Sequence, residues 1–415
     1  MRPQRRLTAA RAPRPGPRGH WPKHPGPILD WLIGAARQLP DSGAILRELS
    51  RRLVDAGVPL CRTSLHIRTL HPQLFAAGFY WQRGVEQVRV SQAQHGVQET
   101  ALFLNSPMRA LFEGAGAVRQ RLDLEDIAFP FPLFHQLRDE GLTDYVALPM
   151  TFSDGKIHGT TWSSDRPGGF ESAHIAQIED LLPAYSLLLE IHLNRRIAIN
   201  ILDTYVGRHA GARILAGQIT RGSGQTVQAA VWLCDLRGFT ALSEAKGRDE
   251  VLGYLNRFFD CMAEPVERHG GEILKFMGDA MLAIFPLETE QACARAVQAA
   301  IEARQAMAAL NDDLRAGGEE PLGFGIALHV GEVMYGNIGA VDRLDFTVIG
   351  RAVNMAARIQ ALCRVLGPTV LVSDRFVQRC SGVASCPGAF RSLGEHRLVG
   401  IARPVELFAL PEAPP

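Results

Sequence analysis

Residues 270–285 read GGEILKFMGDAMLAIF. Two short apolar runs stand on either side of a turn, the pattern of a β-hairpin. Two charges interrupt it, Lys275 inside the first run and Asp279 at the turn. A lone charge among apolar side chains is costly, so each needs a partner that the hairpin does not supply. Where those partners come from decides how the surrounding chain must fold.

Upstream, VWLCD (231–235) is an apolar strand ending in Asp235, followed by Gly238-Phe239-Thr240 and a helix. A carboxylate at a strand end can hold a hard cation, and a glycine loop entering a helix offers free N–H groups to phosphate. Mg²⁺ takes few carboxylates and keeps its other positions for phosphate and water. Taken alone, Asp235 reads equally well as a helix-capping residue. Asp279 changes the balance, because the hairpin is expected to pair beside the Asp235 strand. Two aspartates on adjacent strand ends suit two divalent cations about 4 Å apart, the usual arrangement for phosphoryl or nucleotidyl chemistry. Downstream, FTVIGRAVNMAARI (346–359) places Thr347 on a strand, Gly350 at a turn, and Asn354 and Arg358 four apart on one side of a helix. A guanidinium fork and an amide on one face suit a phosphate and a ribose oxygen.

Between and beyond these pieces the C-terminal half predicts a strand, two helices, the hairpin, and a long helix over residues 293–318. LGFGIALHVGEVMYGNIG follows, read as two strands turning near Gly331-Glu332, and then a helix and three more strands. The expectation is an α+β domain with a central antiparallel or mixed sheet and helices on one side.

The N-terminal half predicts helices over residues 30–54, broken near Pro40 and capped at Asp41 or Ser42. Strands follow at 63–70, 75–82 and 85–91. DYVALPMTF and KIHGTTWSS form a hairpin through Ser153-Asp154-Gly155. A helix from about Glu171 to Arg196 closes this second α+β sandwich. From residue 183 to about 220 the sequence continues helical. Leu187, Leu188, Ile191, Leu193, Ile197, Ile201 and Leu202 keep apolar faces over several turns, as a short parallel coiled coil or a helix packed on its own domain requires. Residues 1–28 are rich in Arg and Pro and have no acidic residue, a composition that predicts a disordered tail.

The totals bound the rest. With 415 residues the chain is too long for one ordinary core, and 47% hydrophobic with 21% charged residues is globular. A formal net charge of +1 gives no reason to expect nucleic acid or an anionic membrane as partner. No run of eighteen apolar residues predicts a membrane span, and no signal peptide is recognisable. Seven cysteines, scattered with no paired framework, point to a reducing cytoplasm, with Cys61 a packing residue.

Three motifs in order, VWLCDLRGFTALSE, GGEILKFMGDAMLAIFP and HVGEVMYGNIGAVDRLDFTVIGRAVNMAARI, resemble the class III adenylate and guanylate cyclase catalytic domain over residues 227–412. The resemblance implies a palm-like, ferredoxin-like catalytic domain at 225–412. It implies Asp235, Asp279 and the carbonyl of Leu236 as ligands of two Mg²⁺ or Mn²⁺ ions. Gly238, Phe239, Thr240 and Arg343 would bind the substrate phosphates. Lys275 and Thr347 would read the purine, Asn354 would orient the ribose, and Arg358 would stabilise charge developing on the phosphates. Lys with Thr or Asp selects adenine in that family, since Lys donates to the N1 acceptor of adenine; Glu with Cys selects guanine. The implied reaction is attack of the ribose 3′-hydroxyl of ATP on its α-phosphate, giving 3′,5′-cyclic AMP and pyrophosphate.

The implied assembly is a homodimer whose two sites each take the aspartates from one chain and Lys275, Thr347, Asn354 and Arg358 from the other. Two positions depart from the family: Arg351 stands where relatives carry Asp or Asn, and Val399 where they commonly carry a triphosphate-binding Lys, with Arg397 and Arg403 nearby. The alternatives are a non-catalytic cyclase-like binding module, a guanylate cyclase, or a diguanylate cyclase. The last is echoed by GGEIL, but Ile273 replaces the second acidic residue. EGLTDYVALPM, SDGKIHGTTWSSDRPGGF and the helix after them resemble a GAF-type sensor at 29–195. That resemblance implies an unidentified small-molecule or protein signal, carried through a helical linker at 196–224.

Overall fold

Two helices open the described chain, α1 (Pro27–Ile33) and α2 (Ser42–Asp55), and the Asp41 carboxylate caps the second by accepting from the Ala44 N–H at 2.8 Å. The computed structural model describes residues 26–69, 74–124, 128–380, 386 and 390–410, so most of the expected N-terminal tail lies outside the described residues. The chain divides into two units, one ending at Asn200 and one beginning at Ile201.

In the first unit six strands form an antiparallel sheet. They are β1 (Arg62–Arg68), β2 (Leu74–Gln82), β3 (Arg89–Gln94), β4 (Val118–Arg121), β5 (Asp144–Thr151) and β6 (Ile157–Ser164), in the order β3-β2-β1-β6-β5-β4. The third begins later than the sequence predicts, because residues 83–88 turn before pairing starts. The predicted hairpin forms between β5 and β6, with Gly155 at φ +79°. Short helices α3 (Ala101–Leu104) and α4 (Pro107–Phe112) and helix α5 (Pro132–Asp139) follow in chain order around β4. On one sheet face Leu46, Leu49 and Leu53 of α2 meet Leu65, Trp81 and Trp162. On the other, Leu111 and Phe134 pack with Tyr145 and Ala147, and Cys61 joins them as the packing residue expected of it.

Helix α6 runs unbroken from Ser172 to Tyr205, with Pro183 inside it. Its apolar positions divide by face. Leu188 and Leu189 are buried in the first unit's core and Leu193 packs against it, while Leu187, Ile191, Ile201 and Tyr205 stay exposed. Part of the apolar pattern thus packs on its own domain, one of the two expectations, and part stays exposed. Gly207, at φ +91°, ends the run and starts α7 (Arg208–Leu215).

The second unit adds β7 (Gly224–Arg237), α8 (Phe239–Ala245), α9 (Arg248–Arg268), β8 (Glu272–Met277), β9 (Ala280–Pro286) and α10 (Ala292–Ala316). After these come β10 (Gly323–Gly339), β11 (Leu344–Ile349), α11 (Arg351–Leu366), β12 (Val370–Ser373), α12 (Asp374–Cys380), β13 (Arg391–His396) and β14 (Val405–Ala409). The sheet order is β13-β14-β12-β10-β7-β9-β8, with β11 on β10. All pairs are antiparallel except β10 with β12, which the α11 crossover makes parallel. The α+β expectation holds in this mixed form.

Three details differ from the reading of the sequence. Residues 323–339 are one strand with no turn at Gly331-Glu332. They pair with β7 from Gly323↔Arg237 to Gly336↔Gly224. Gly331 is there for room: a Cβ would lie 2.7 Å from that of Ala352 in α11. Helices also cover both faces rather than one. Phe258 of α9 and Val297 of α10 pack on Trp232 and Phe285, whereas Ala210 of α7 and Ala352 and Ala356 of α11 pack on Val231, Ile284 and Val333. Each large side chain fully buried there contributes about 2 kcal/mol of hydrophobic stabilisation. Finally, Cys380 and Cys386 are joined, their Cα atoms 5.9 Å apart, which corrects the expectation of unpaired cysteines. Six positions of separation put the second thiol back at the end of α12.

Candidate active site

Strand alternation places the two aspartates. Ala230, Trp232, Cys234 and Leu236 of β7 face the α9/α10 core, so Val231, Leu233 and Asp235 face the other way. Asp235 pairs with Ala280, the first residue of β9, and the Leu236 N–H donates to the Asp279 carbonyl at 3.2 Å. The strand end and the hairpin turn are thus held side by side. Gly278, at φ +66°, makes the turn that presents Asp279.

The pairing has an electrostatic cost. Burial first, and the Asp279 charge second, push the Asp235 carboxyl up to about 6. A cation against both carboxylates would relieve that cost. No group of three or more His, Cys, Asp or Glu side chains suited to a metal occurs among the described residues. Two carboxylates with a backbone carbonyl nonetheless fit a hard cation that shares its remaining positions with phosphate and water.

Lys275 reaches the same face by an irregularity. Ile273 pairs with Ala283 but Lys275 with Leu282, so Leu274 is an extra residue in β8. Without that bulge, Lys275 would point with Ile273 toward the α9 side. With it, Lys275 lies opposite Leu282, whose side chain belongs to the Asp235 face. Thr347 sits in β11 opposite Gly336, 4% exposed, and its hydroxyl is buried without a hydrogen-bond partner. A buried hydroxyl left unpaired is destabilising, so a ligand able to bond with it is the natural complement.

Asn354 and Arg358 are exposed one turn apart on α11, opposite the buried stripe of Ala352, Ala356, Ile359 and Cys363. Gly238, at φ +75°, leads into α8 with no side-chain cap, leaving Phe239 half-buried against the core and Thr240 exposed. Arg343 is exposed in the turn between β10 and β11, where its carbonyl accepts from the Ala340 N–H at 2.8 Å. Val399 is 77% exposed between β13 and β14, with Arg397 and Arg403 exposed beside it in sequence. Arg351 is exposed at the start of α11. Within one chain the register joins Asp235, Leu236 and Asp279 and puts Lys275 on their side of the sheet. Asn354, Arg358 and Arg343 point to solvent.

Two residues that the sequence reading passed over support this arrangement. Arg237 follows the Asp235-Leu236 pair and donates to the carbonyls of Cys363 at 2.7 Å and Pro368 at 3.0 Å, so it ties the strand end to the C-terminus of α11. Nothing near it in the sequence marks these distant partners. Glu272 is a buried carboxylate at the start of β8 that accepts from the Tyr335 hydroxyl. Its signal was an acidic residue opening an apolar run.

The match to a family model falls within the second unit. The family model described as "Adenylate and Guanylate cyclase catalytic domain" matches residues 223–397, in agreement with the resemblance carried by the three motifs. An adenylate cyclase of Anabaena cylindrica is 36% identical over 173 residues, 41% of this chain and 33% of that protein. Adenylate cyclase 1 of Rhizobium meliloti (strain 1021) is 28% identical over 246 residues, 56% of this chain and 36% of that protein. The chain thus spans about a third of the length of the curated relatives it matches. Among solved structures, the adenylyl cyclase CyaB from P. aeruginosa aligns at 28% identity with a TM-score of 0.42, covering 46% of this chain and 97% of that one. No helix among the described residues is long and apolar enough to cross a membrane.

Proposed function

We propose that this chain, which carries an adenylate and guanylate cyclase catalytic domain across residues 223–397, converts ATP to 3′,5′-cyclic AMP and pyrophosphate. The observation that carries the reading is the crowding of two aspartates on adjacent strand ends, with Lys275 turned by a bulge to the same face. Asp235, Asp279 and the Leu236 carbonyl would hold two Mg²⁺ or Mn²⁺ ions. Bound there, these ions would supply charge neutralisation on the triphosphate and acidify the attacking ribose hydroxyl.

The chain's own groups do the rest. Lys275 donates to the N1 acceptor of adenine and the Thr347 hydroxyl accepts from its 6-amino group. Asn354 orients the ribose so that its 3′-oxygen faces the α-phosphate. Arg358, free to reach because it is exposed, balances charge as the pyrophosphate leaves. Gly238, Phe239, Thr240 and Arg343 steady the phosphates.

Asn354 and Arg358 point outward, which supports a site completed by a second copy of the chain. The exposed positions Leu187, Ile191, Asn194, Ala198, Ile201 and Tyr205 of α6 repeat at alternating intervals of four and three, the seam of a parallel two-stranded coil. In this reading residues 29–195 are a GAF-type sensor for an unidentified signal and 196–224 a helical linker. The signal would act by twisting or parting the two catalytic halves.

The test is a purified-protein assay with ATP and with GTP, each with Mg²⁺ and with Mn²⁺, product identified by mass. Cyclic AMP formation, lost roughly 100-fold or more in Asp235→Ala, is the expected result. Cyclic GMP as the main product would reassign the base, and no cyclic nucleotide under any condition would leave a binding module.

A further inference from the structure

Glu272 takes no part in the reaction proposed above, yet it is a carboxylate only 8% exposed. Burial holds its pKa above the ordinary range, against the pull of the Tyr335 hydroxyl and of the charges on His209 and Arg213. Such a group is costly unless its partners are fixed. Its partners lie on other elements. Tyr335 of β10 donates its hydroxyl to Glu272, three residues before Lys275 in β8. The same Tyr335 ring packs edge-on against Phe346, the residue before Thr347 in β11, with centroids 4.8 Å apart and planes at 81°. On its face lies the guanidinium of Arg213 of α7, 4.9 Å from the ring centroid. Gln225, with its amide oxygen turned to Arg213, accepts from that guanidinium at 2.8 and 3.1 Å.

Tyr335 therefore touches the strand of one base-reading residue, the strand of the other, and a helix within the linker. We propose that Tyr335 and Glu272 are positioning residues for purine recognition. Their bond sets the spacing between the Lys275 and Thr347 strands, and α7 holds that bond in place through Arg213. The inference rests on the reading that Lys275 and Thr347 contact the base. It goes beyond that reading by naming what fixes their separation and which element outside the site can change it. A buried hydroxyl–carboxylate bond suits this role: it has one geometry, and either half is destabilising when left alone.

The experiment compares kcat/KM for ATP and GTP in the full chain, for wild type, Lys275→Ala, Tyr335→Phe, Glu272→Gln and Arg213→Met. Where GTP turns over too slowly, its inhibition of ATP turnover is measured instead. Tyr335→Phe keeps the ring against Phe346 and removes only the hydroxyl. It is expected to raise KM for ATP about tenfold and to shrink the ATP preference by a similar factor. Glu272→Gln keeps an acceptor for the hydroxyl and retains most of the preference; Arg213→Met shifts it in the Tyr335→Phe direction, less far.

A merely structural role would lower turnover of both nucleotides by one factor, and an unchanged ATP:GTP ratio in Tyr335→Phe overturns the proposal. Lys275→Ala separates the two readings. If it collapses the preference while Tyr335→Phe does not, positioning alone fails. If it leaves the preference untouched, base recognition by Lys275 fails and the positioning proposal falls with it. Should Tyr335→Phe not fold, Glu272→Ala and Arg213→Met carry the same comparison.

Discussion

Asp235 is held in a state that the metal-free protein would rather avoid. Its carboxyl titrates at about 6, raised by burial and then by Asp279. A carboxyl with a raised folded pKa binds its proton more tightly folded than unfolded. Its favourable contribution is therefore present at acid pH, is lost as pH rises from the unfolded value near 4 to about 6, and stays lost above. Asp235→Asn removes the charge and keeps the shape. It is expected to raise Tm in a chelator at pH 8 by about 2–4 °C, corresponding to roughly 1 kcal/mol at this half-exposed position, and to leave Tm unchanged near pH 4. The same variant should have no cyclase activity at either pH. A lower Tm at pH 8 would mean that the carboxylate pair is not strained.

Residues at punctuated positions were legible in the sequence: an aspartate ending an apolar strand, another at a turn, a lysine inside an apolar run. Tyr335 and Arg237 were not. Tyr335 meets Glu272 across 63 positions of chain, and Arg237 reaches carbonyls more than a hundred positions away. Nothing local marks such pairs.

The elements differ in how far their pattern could be read. The β8–β9 hairpin and the helices α9, α10 and α11 follow from apolar periodicity and turn residues. Strand β10 was misread because glycine speaks equally for a turn and for close approach. Only the packing of Ala352 against Gly331 separates the two. This gives a prediction at the level of the element. Gly331→Ala forces α11 away from β10, so stability should fall by about 1–3 kcal/mol in denaturant unfolding. Because α11 carries Asn354 and Arg358, cyclase activity should fall further than stability alone accounts for. A variant as stable and active as wild type would show that α11 has slack there. The bulge at Leu274 was likewise hidden, since an apolar run of that length fits an unbroken strand and says nothing of an extra residue.

At the scale of the whole molecule, the proposed site needs two chains, and the arrangement makes a quantitative demand. Asp279→Ala and Asn354→Ala each spoil one half of every site in a homodimer. Mixed and allowed to exchange, the two inactive proteins should regain activity, because half of the sites in each heterodimer then receive both intact halves. Absence of recovery with exchange demonstrated by mass would mean that each chain works alone. The coil seam on α6 bears on the same point: Ile191→Asp with Ile201→Asp should weaken self-association in sedimentation and lower activity at dilute protein.

The β8–β9 hairpin carries Lys275 on one arm and Asp279 at its turn, four positions apart and on one side of the sheet. In the proposed dimer those two residues belong to opposite sites. A chain with a single point lesion leaves its wild-type partner one working site. A chain whose hairpin is misfolded or deleted takes Asp279 from one site and Lys275 from the other, so its heterodimer has none. Loss of this one turn would therefore behave in a cell as a dominant lesion, silencing the product of an intact gene copy, where loss of either side chain alone would be partly masked.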